Sequence, residues 1–237
     1  MPAFRRRHVP DNSLHFWTAL CLASILGCNT GDCFASFLGL PSGLAALVPV
    51  LAIAAFFERR NNGNSQAWYW LAIIIACTAA TNLADAAVQQ AGMLKALAGL
   101  AALLIAVRLL ARARRCASAS GGPPSVDGTY WLTLLIAGTL GTALGDFSSF
   151  KSGLGLGGAS LALAVLVMAL VAVRTERSDA ISLSYWLVVV AIRTAGGSVG
   201  DYFTHQIGLW QSTMVFAILL PALLCMRPGQ DATVSGA

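Results

Sequence analysis

Four aspartates stand in otherwise apolar stretches of this sequence, and each occupies the same place in a repeated pattern. In every copy a tryptophan is followed fifteen residues later by the aspartate, and seven residues after that by a glycine. Carboxylates in apolar membrane surroundings are costly, and they commonly mark ion paths or proton relays. The repeated aspartates are therefore the first candidates for a site. The copies are Trp17/Asp32/Gly39, Trp70/Asp85/Gly92, Trp131/Asp146/Gly153 and Trp186/Asp201/Gly208.

A structural role for the same aspartates stays open beside a binding role. An aspartate can cap a helix or accept hydrogen bonds from exposed amides in a turn, and the following glycine permits a turn with positive φ. As binding groups, the carboxylates would form a cluster that holds a cation or a proton. Every acid inside the apolar segments belongs to the repeat, which favours the binding role. The other acids lie outside those segments: Asp11, Glu58, Asp127, Glu176, Asp179 and Asp231.

Polar side chains precede the aspartates at helical spacing. Thr81 and Thr142 lie four residues before Asp85 and Asp146, and residues three or four apart share a helix face. Their hydroxyls are predicted to line a water-filled cavity beside the acids. Alternatively, small polar residues here simply allow close helix packing, and the sequence leaves both interpretations open. Further polar residues lie three before an aspartate: Asn29, Asn82 and Ser198.

Arg193 is the one arginine deep within an apolar segment, seven residues past Trp186 and eight before Asp201. At this spacing Arg193 and Asp201 are two turns apart and do not touch. We therefore expect the guanidinium to pair with an aspartate of another repeat or with a bound anion, as a fixed ion pair or a switchable counter-charge. His205 is either a solvated turn residue or a group that tunes the mouth of a pathway near neutral pH.

A transition-metal site is a further alternative. Its ligands would be Cys28, Asp32 and Cys33, or the pair Asp201 and His205. No ligand spacing recurs among the repeats, so the metal stays unassigned. The sequence has no metalloprotease, P-loop or dinucleotide-binding motif and no catalytic triad pattern, and we expect neither an enzyme nor a cofactor.

The elements that must position these residues are membrane helices. Of 237 residues, 57% are hydrophobic and 11% are charged, whereas a soluble domain has about 25% charged residues. The mean hydropathy is +0.72, and apolar windows close to the length of a membrane span, about 20 residues, recur along the chain. We predict eight spans: Leu14–Thr30, Ser42–Phe57, Ala67–Leu83, Leu94–Leu110, Tyr130–Leu144, Leu154–Val173, Ser184–Val199 and Gln211–Cys225.

The net charge is +5, and the basic residues are distributed as in a signal for membrane orientation. We therefore expect no nucleic-acid partner. Only Lys95 and Lys151 fall on the face opposite to the other basic residues. By the positive-inside rule both termini are cytoplasmic and the Asp-to-Gly turns lie near the outer face. If each tryptophan lies in the inner aromatic belt, fifteen residues of helix rise about 22 Å and bring the aspartate into the outer third of the bilayer core. The basic residues on the predicted cytoplasmic side are Arg5, Arg6, Arg7, Arg59, Arg60, Arg108, Arg112, Arg114, Arg115, Arg174, Arg177 and Arg227.

A repeat of two spans returns the chain to the side where it began, so all four repeats share one orientation. The predicted fold class is therefore all-α, with eight transmembrane helices as four parallel helical hairpins around a pseudo-symmetry axis. A Ser/Gly/Pro-rich segment separates two predicted halves, which span residues 1–116 and 128–237 with a cytoplasmic linker at 117–127.

The four repeated tryptophans, with Gly-Asp in three copies and Ala84-Asp85 in the second, resemble a family of bacterial membrane proteins built from four tandem two-span repeats. The resemblance extends from Phe16 to about Cys225. It implies the architecture and a location in the bacterial inner membrane. It implies no activity, because the family is defined by its repeat.

These observations lead to one main functional hypothesis and one alternative. We expect a transporter or channel in the lipid bilayer for a small cation, in a mechanism that also admits proton coupling, with the four aspartates and Arg193 as its charged centre. The alternative is a membrane scaffold or assembly protein without transport, in which the aspartates are structural. The sequence leaves the oligomeric state undetermined.

Overall fold

The computed structural model describes residues 13–60, 67–117, 127–173 and 183–226. These four ranges are almost entirely helical and contain no strand, which confirms the predicted all-α class. A short π-helical segment, Phe147–Lys151, lies between the fifth and sixth α-helices. The α-helices are α1 (Leu14–Leu38), α2 (Leu40–Arg60), α3 (Ala67–Ala91), α4 (Met93–Ala117), α5 (Gly128–Asp146), α6 (Gly155–Val173), α7 (Leu183–Ile207) and α8 (Leu209–Cys225).

Side-chain caps fix the starts of two of these helices. The hydroxyl of Ser13 accepts a hydrogen bond of 3.2 Å from the amide of Phe16 at the start of α1. A carboxylate oxygen of Asp127 accepts one of 2.8 Å from the amide of Tyr130 at the start of α5. Such caps satisfy amides that have no partner within the helix. Asp127 is thus an acid with a structural task, unlike the aspartates of the repeat.

A single glycine joins the two helices of three of the pairs. Gly39, Gly92 and Gly208 have φ values of +73°, +82° and +92°, in the region that glycine adopts without steric cost. In the third pair Gly153, with φ +80°, lies just before α6. The predicted role of the repeated glycine as a positive-φ turn residue is confirmed.

The four odd-numbered helices form an inner ring. Contacts run from α1 to α3, from α3 to α5, from α5 to α7 and from α7 back to α1. The even-numbered helices lie outside this ring. Each of them contacts the inner helix of a neighbouring pair more extensively than its own partner: α2 packs on α3, α4 on α5, α6 on α7, and α8 on α1. This exchange locks consecutive pairs together.

Glycines allow the inner helices to approach closely, because a side chain in their place would overlap the next helix. A Cβ atom at Gly31 of α1 would lie 2.8 Å from the Cβ of Thr81 in α3, and one at Gly145 of α5 would lie 2.9 Å from the carbonyl oxygen of Thr194 in α7. Gly200 of α7 faces α1 in the same way. Small residues at helix contacts are the usual means of tight packing within a membrane.

Four of the helical segments are long and apolar enough to cross a membrane, which indicates a membrane protein. They are Leu14–Leu38, Ala67–Ala91, Met93–Arg114 and Gly155–Ala172, and two shorter apolar segments are Leu40–Ala54 and Leu209–Cys225. The prediction of eight spans therefore remains a prediction for the other helices.

Packing within the ring joins the two predicted halves of the chain. α3 contacts α5, and α7 contacts α1, so the helices of residues 1–116 and those of residues 128–237 meet at two places around the ring. Of the predicted linker, residues 118–126 lie outside the described residues. Among the basic residues of the predicted cytoplasmic face, the following also lie outside them: Arg5, Arg6, Arg7, Arg174, Arg177 and Arg227.

Candidate functional site

The four repeated aspartates lie in or at the end of the inner helices. Asp32, Asp85 and Asp201 are each followed by six more helical residues, and Asp146 ends α5 where the π-helical segment begins. The predicted turn between aspartate and glycine was therefore wrong for Asp32, Asp85 and Asp201, since that stretch is helical and only the glycine interrupts it. After Asp146, residues 152–154 form a bend between the π-helical segment and α6. At 1.5 Å per residue, the other three aspartates lie about 10 Å below their turn glycine.

The inner ring brings the four carboxylates into one cluster. Each of them interacts electrostatically with the other three, so all six pairs are close enough for their charges to act on one another. All four side chains are half-buried. No side chain in the part of the chain that the structure describes donates a hydrogen bond to any of them. Four acids without a counter-charge repel one another when they are ionised. We call these four residues the aspartate cluster.

Within the aspartate cluster, Asp32 and Asp201 approach most closely to a third potential ligand. The Sγ atom of Cys28 and a carboxylate oxygen of each acid all lie within 4.8 Å of one another. Cys28 and Asp32 are one helical turn apart on α1, and Asp201 reaches them from α7. This arrangement joins members of the two predicted metal-ligand sets, Cys28 and Asp32 from one and Asp201 from the other.

The other predicted metal ligands do not join this group. His205 is exposed near the end of α7, and it is absent from the group of close ligand atoms. The thiol of Cys33 lies 3.7 Å from the hydroxyl of Thr213 in α8 and faces that helix instead. The solvated alternative for His205 agrees with its exposure.

The two predicted threonines lie one helical turn below the acids, and Thr81 packs against Gly31 of α1. Thr81 and Thr142 are buried, as are Thr78 and Thr139 one turn further along their helices. The hydroxyl of Thr81 donates to the carbonyl of Cys77 in its own helix at 3.3 Å. Such back-bonding uses the hydroxyl proton and leaves an oxygen lone pair free to accept. The hydroxyl oxygen of Thr142 accepts a hydrogen bond from Arg193.

Arg193 occupies the interior of the ring below the aspartate cluster and bonds to all three of the other inner helices. Its Nη1 donates to the carbonyl (3.2 Å) and the hydroxyl (3.1 Å) of Ser24 in α1. Its Nη2 donates to the carbonyl of Cys77 in α3 (3.0 Å) and to the hydroxyl of Thr142 in α5 (3.1 Å). The side chain is only 2% exposed, so the guanidinium lies on the axis of the ring.

The predicted pairing of Arg193 with an aspartate was wrong. Its hydrogen-bond partners are neutral oxygens, and it forms no ion pair with any residue that the structure describes. The reason is depth: eight helical residues, or about 12 Å, separate Arg193 from Asp201. At the depth of Arg193, a side chain that points across the ring contacts the carbonyl and hydroxyl oxygens of the other inner helices and does not reach the carboxylates.

Small residues at equivalent positions make room for this one large side chain. Arg193 lies seven residues after its repeat tryptophan, and the residues seven after the other three are Ser24, Cys77 and Gly138. A Cβ atom at Gly138 would lie 3.3 Å from the Nε of Arg193. Three small side chains and one arginine therefore fill a single layer of the ring.

An aromatic layer that the repeat spacing did not predict lies at the other end of the ring. The residue before each repeat tryptophan is aromatic and buried in all four copies. Each repeat tryptophan packs on the aromatic residue that precedes the tryptophan of the neighbouring repeat, and the series is closed. The ring centroids are separated by 5.8 Å for Phe16–Trp70, 6.0 Å for Tyr69–Trp131, 5.6 Å for Tyr130–Trp186 and 5.5 Å for Tyr185–Trp17.

Three hydroxyls join inside this aromatic layer. The Oη atoms of Tyr69 and Tyr130 are 2.8 Å apart, and those of Tyr130 and Tyr185 are 3.3 Å apart. Trp17, Trp70 and Trp186 are buried among the helices, so their main contacts are not those of lipid-facing belt residues. The aromatic residue before each tryptophan is visible in the sequence and could have indicated an aromatic layer. The repeat spacing does not show, however, which neighbouring ring each aromatic residue packs on.

Two of the polar residues that lie three before an aspartate, Asn29 and Asn82, face outer helices. Asn29 donates from Nδ2 to the hydroxyl of Ser212 in α8 at 2.7 Å. Asn82 holds the same place in α3, but neither of its polar side-chain atoms has a partner. The residue of α2 that corresponds to Ser212 is Gly43, and a Cβ atom there would lie 3.3 Å from the Nδ2 of Asn82.

Two stretches of this chain, residues 129–178 and 184–227, match a protein family model described as a repeat of unknown function, DUF347. They correspond to the third and fourth copies of the pattern, and they confirm the predicted resemblance to a repeat-containing family of unknown function. No curated protein and no solved structure gives a significant match to the chain.

Proposed function

We propose that this membrane protein with DUF347 repeats is a transporter or channel for a small cation, and that the aspartate cluster is its binding centre. The observation that carries the proposal is the convergence of four carboxylates, one from each inner helix, without a positive side chain among the described residues to neutralise them. A cation, a proton included, would supply the missing charge.

The placement of the acids argues against a purely structural role. Asp32, Asp85 and Asp201 lie within helices, six residues before the helix end, where no amide needs a cap. Asp146 precedes the π-helical segment without forming a capping hydrogen bond. Charged groups within a membrane are costly, so retention of four of them without a capping task favours a bound ion.

The available ligand atoms suit cations of two kinds. Carboxylate oxygens bind hard cations such as Mg²⁺, Ca²⁺ and Mn²⁺, and a thiolate favours softer transition metals. Asp32 and Asp201 supply the oxygens and Cys28 the sulfur of the closest group. The other two acids would complete a shell or hold protons that are exchanged for the cation.

The proposed function requires the aspartate cluster to lie within a membrane-embedded bundle of helices. Four hairpins, each with an inner and an outer helix, would surround a pseudo-symmetry axis in the bilayer, with all eight α-helices in the membrane. The closed series of contacts among the inner helices supports this arrangement. Both termini would be cytoplasmic in a bacterial inner membrane, so that the aspartate cluster would open toward the outside.

Cation exchange in proteoliposomes tests the proposal. Vesicles that contain the purified full chain are loaded with one unlabelled cation, and the uptake of the same labelled cation is measured for Na⁺, K⁺, Mg²⁺, Ca²⁺, Mn²⁺ and Zn²⁺ in turn. Proton movement is followed with an entrapped pH-sensitive dye. We expect exchange of at least one of these ions, and its loss when all four aspartates are changed to asparagine.

Asp127→Asn is the matched control, because Asp127 caps α5 and lies outside the aspartate cluster. It is expected to retain exchange. Exchange that persists in the fourfold asparagine variant would overturn the proposal. If no ion exchanges and the fourfold variant loses only stability or abundance, the result would favour the scaffold alternative.

A further inference from the structure

Arg193 places a fixed positive charge on the axis of the inner ring, between the aspartate cluster and the aromatic layer. We infer that Arg193 closes the ring to cations, so that in this conformation the aspartate cluster exchanges ions with one side of the membrane only. The inference rests on the proposed function and deepens it, since it distinguishes a gated carrier from a continuous channel.

The first support is the position of the guanidinium. It bonds to Ser24 of α1, Cys77 of α3 and Thr142 of α5 while its backbone belongs to α7. A group that touches all four helices of a ring leaves no path beside it along the axis. Four hydrogen bonds to three helices also hold it in place.

The second support is charge. An arginine side chain stays protonated in proteins, and the partners of Arg193 are neutral oxygens. Its full positive charge therefore acts on any cation that enters its layer, in surroundings of low dielectric where repulsion is strong. Arginines at pore constrictions are a known means of excluding protons and cations.

The third support is the filling of the layer. A Cβ atom at Gly138 would lie 3.3 Å from Nε of Arg193, and one at Gly141 would lie 2.8 Å from the carbonyl of Val190. The helices thus meet at backbone distance around the side chain. Ser24 and Cys77 complete the layer, and the arginine takes up the space that their small side chains leave.

The aromatic layer lies beyond Arg193 along the ring. Phe16, Tyr69, Tyr130 and Tyr185 are at most 5% exposed, and each lies eight helical residues, or about 12 Å, from the layer of Arg193 and its equivalents. Three of these side chains carry hydroxyls, which bond to one another, and none carries a positive charge. We therefore expect the charge of Arg193, and not the aromatic layer, to set the barrier to cations.

Voltage-driven net flux tests the inference, because it needs a continuous path whereas one-for-one exchange does not. Proteoliposomes of the full chain are given a K⁺ diffusion potential, and entry of protons or Mn²⁺ is followed with entrapped pH-sensitive and Mn²⁺-quenched dyes. We expect wild-type protein to match protein-free vesicles. R193S is expected to raise net flux at least about tenfold, which corresponds to a barrier lower by about 1.4 kcal/mol.

Two matched variants accompany this test. R193K keeps a positive charge in the layer and should, like wild type, show no net flux above that of protein-free vesicles. Arg112→Ser removes an exposed arginine of the outer helix α4, and it should also show no net flux above that of protein-free vesicles. If R193S does not yield folded protein, R193Q removes the same charge and keeps a side chain of similar reach.

The wild-type result alone is decisive if neither neutral variant folds. Net flux through wild-type protein above the protein-free level would overturn the inference, and so would a folded R193S or R193Q that stays tight. These outcomes are separate from the proposed function, which fails if wild-type protein neither binds nor exchanges any cation. Tight vesicles with intact exchange support both.

Discussion

Nη2 of Arg193 donates a hydrogen bond to the carbonyl oxygen of Cys77, 3.0 Å away, and the two residues hold the same place in their repeats. Each lies seven positions after its tryptophan, Trp186 or Trp70. The fourth repeat thus has an arginine where the other three have a small residue, and the arginine side chain fills the space that the small residues leave. Repeats that diverge in this way can form a centre that no single copy could form alone.

Replacing a glycine of the inner ring should destabilise the protein. A Cβ atom at Gly145 of α5 would lie 2.9 Å from the carbonyl oxygen of Thr194, so Gly145→Ala must push α5 and α7 apart. Overpacking of this kind costs about 1–3 kcal/mol. Thermal denaturation in detergent measures the effect. Gly99→Ala in α4 is the control, because no atom lies within 4 Å of its Cβ position, and it should leave stability unchanged or raise it.

The two interfaces between asparagine and an outer helix should respond in opposite directions. Ser212→Ala removes the partner of Asn29 and should lower the free energy of unfolding by about 0.5–1.5 kcal/mol. Gly43→Ser offers Asn82 the hydroxyl that it lacks and should raise it by a similar amount after a small shift of the amide. Denaturation of both variants measures these changes. A stabilising Ser212→Ala would show that the hydrogen bond is not the cause.

The repeat tryptophans should matter for stability because they join neighbouring repeats. Trp70 is 5% exposed and packs on Phe16 of the preceding repeat. Trp70→Ala should cost about 3–5 kcal/mol, the usual range for a buried large aromatic residue. Trp210→Ala, at a side chain that is 50% exposed, should cost much less. Equal losses in the two variants, measured by thermal denaturation, would contradict an inter-repeat role.

Single aspartate changes should affect cation affinity unequally. Asp32 and Asp201 lie with Cys28 in the closest group of ligand atoms, and Asp85 does not belong to it. Asp32→Asn and Asp201→Asn should therefore weaken binding at least about tenfold, or about 1.4 kcal/mol, and Asp85→Asn should weaken it less. Equilibrium binding to each purified variant decides the order. A stronger effect at Asp85 would move the centre of the site toward α3.

The sequence predicted the class of the fold and the identity of the repeated residues, because both follow from spacing and composition. It placed Asp32 at a turn, since the predicted first span ended at Thr30 and a glycine follows at position 39. In the structure, hydrogen bonds along the backbone carry α1 on to Leu38, and only Gly39 interrupts them. A hydropathy pattern predicts which residues can lie in the hydrocarbon core of a membrane, but it does not predict the residue at which a helix ends.

The partners of Arg193 could not be predicted because they are set by the order of helices around the ring. Ser24 and Cys77 come from two other repeats, 169 and 116 residues away in sequence. The sequence shows that each lies seven residues after its tryptophan. Only the packing of the helices into a ring places these residues at the same depth and in contact. In the same way, the packing of α8 on α1 joins the first and the last of the described helices, which spacing alone does not reveal.

Calorimetric titration of the purified full chain with the same series of cations shows whether the aspartate cluster is a cation-binding centre. We expect saturable binding of at least one cation to wild-type protein and to Asp127→Asn. We expect no detectable binding to the fully folded variant in which Asp32, Asp85, Asp146 and Asp201 are all asparagine. Binding that is unchanged in that variant, or no binding of any cation to wild-type protein, would rule out the aspartate cluster as a cation site.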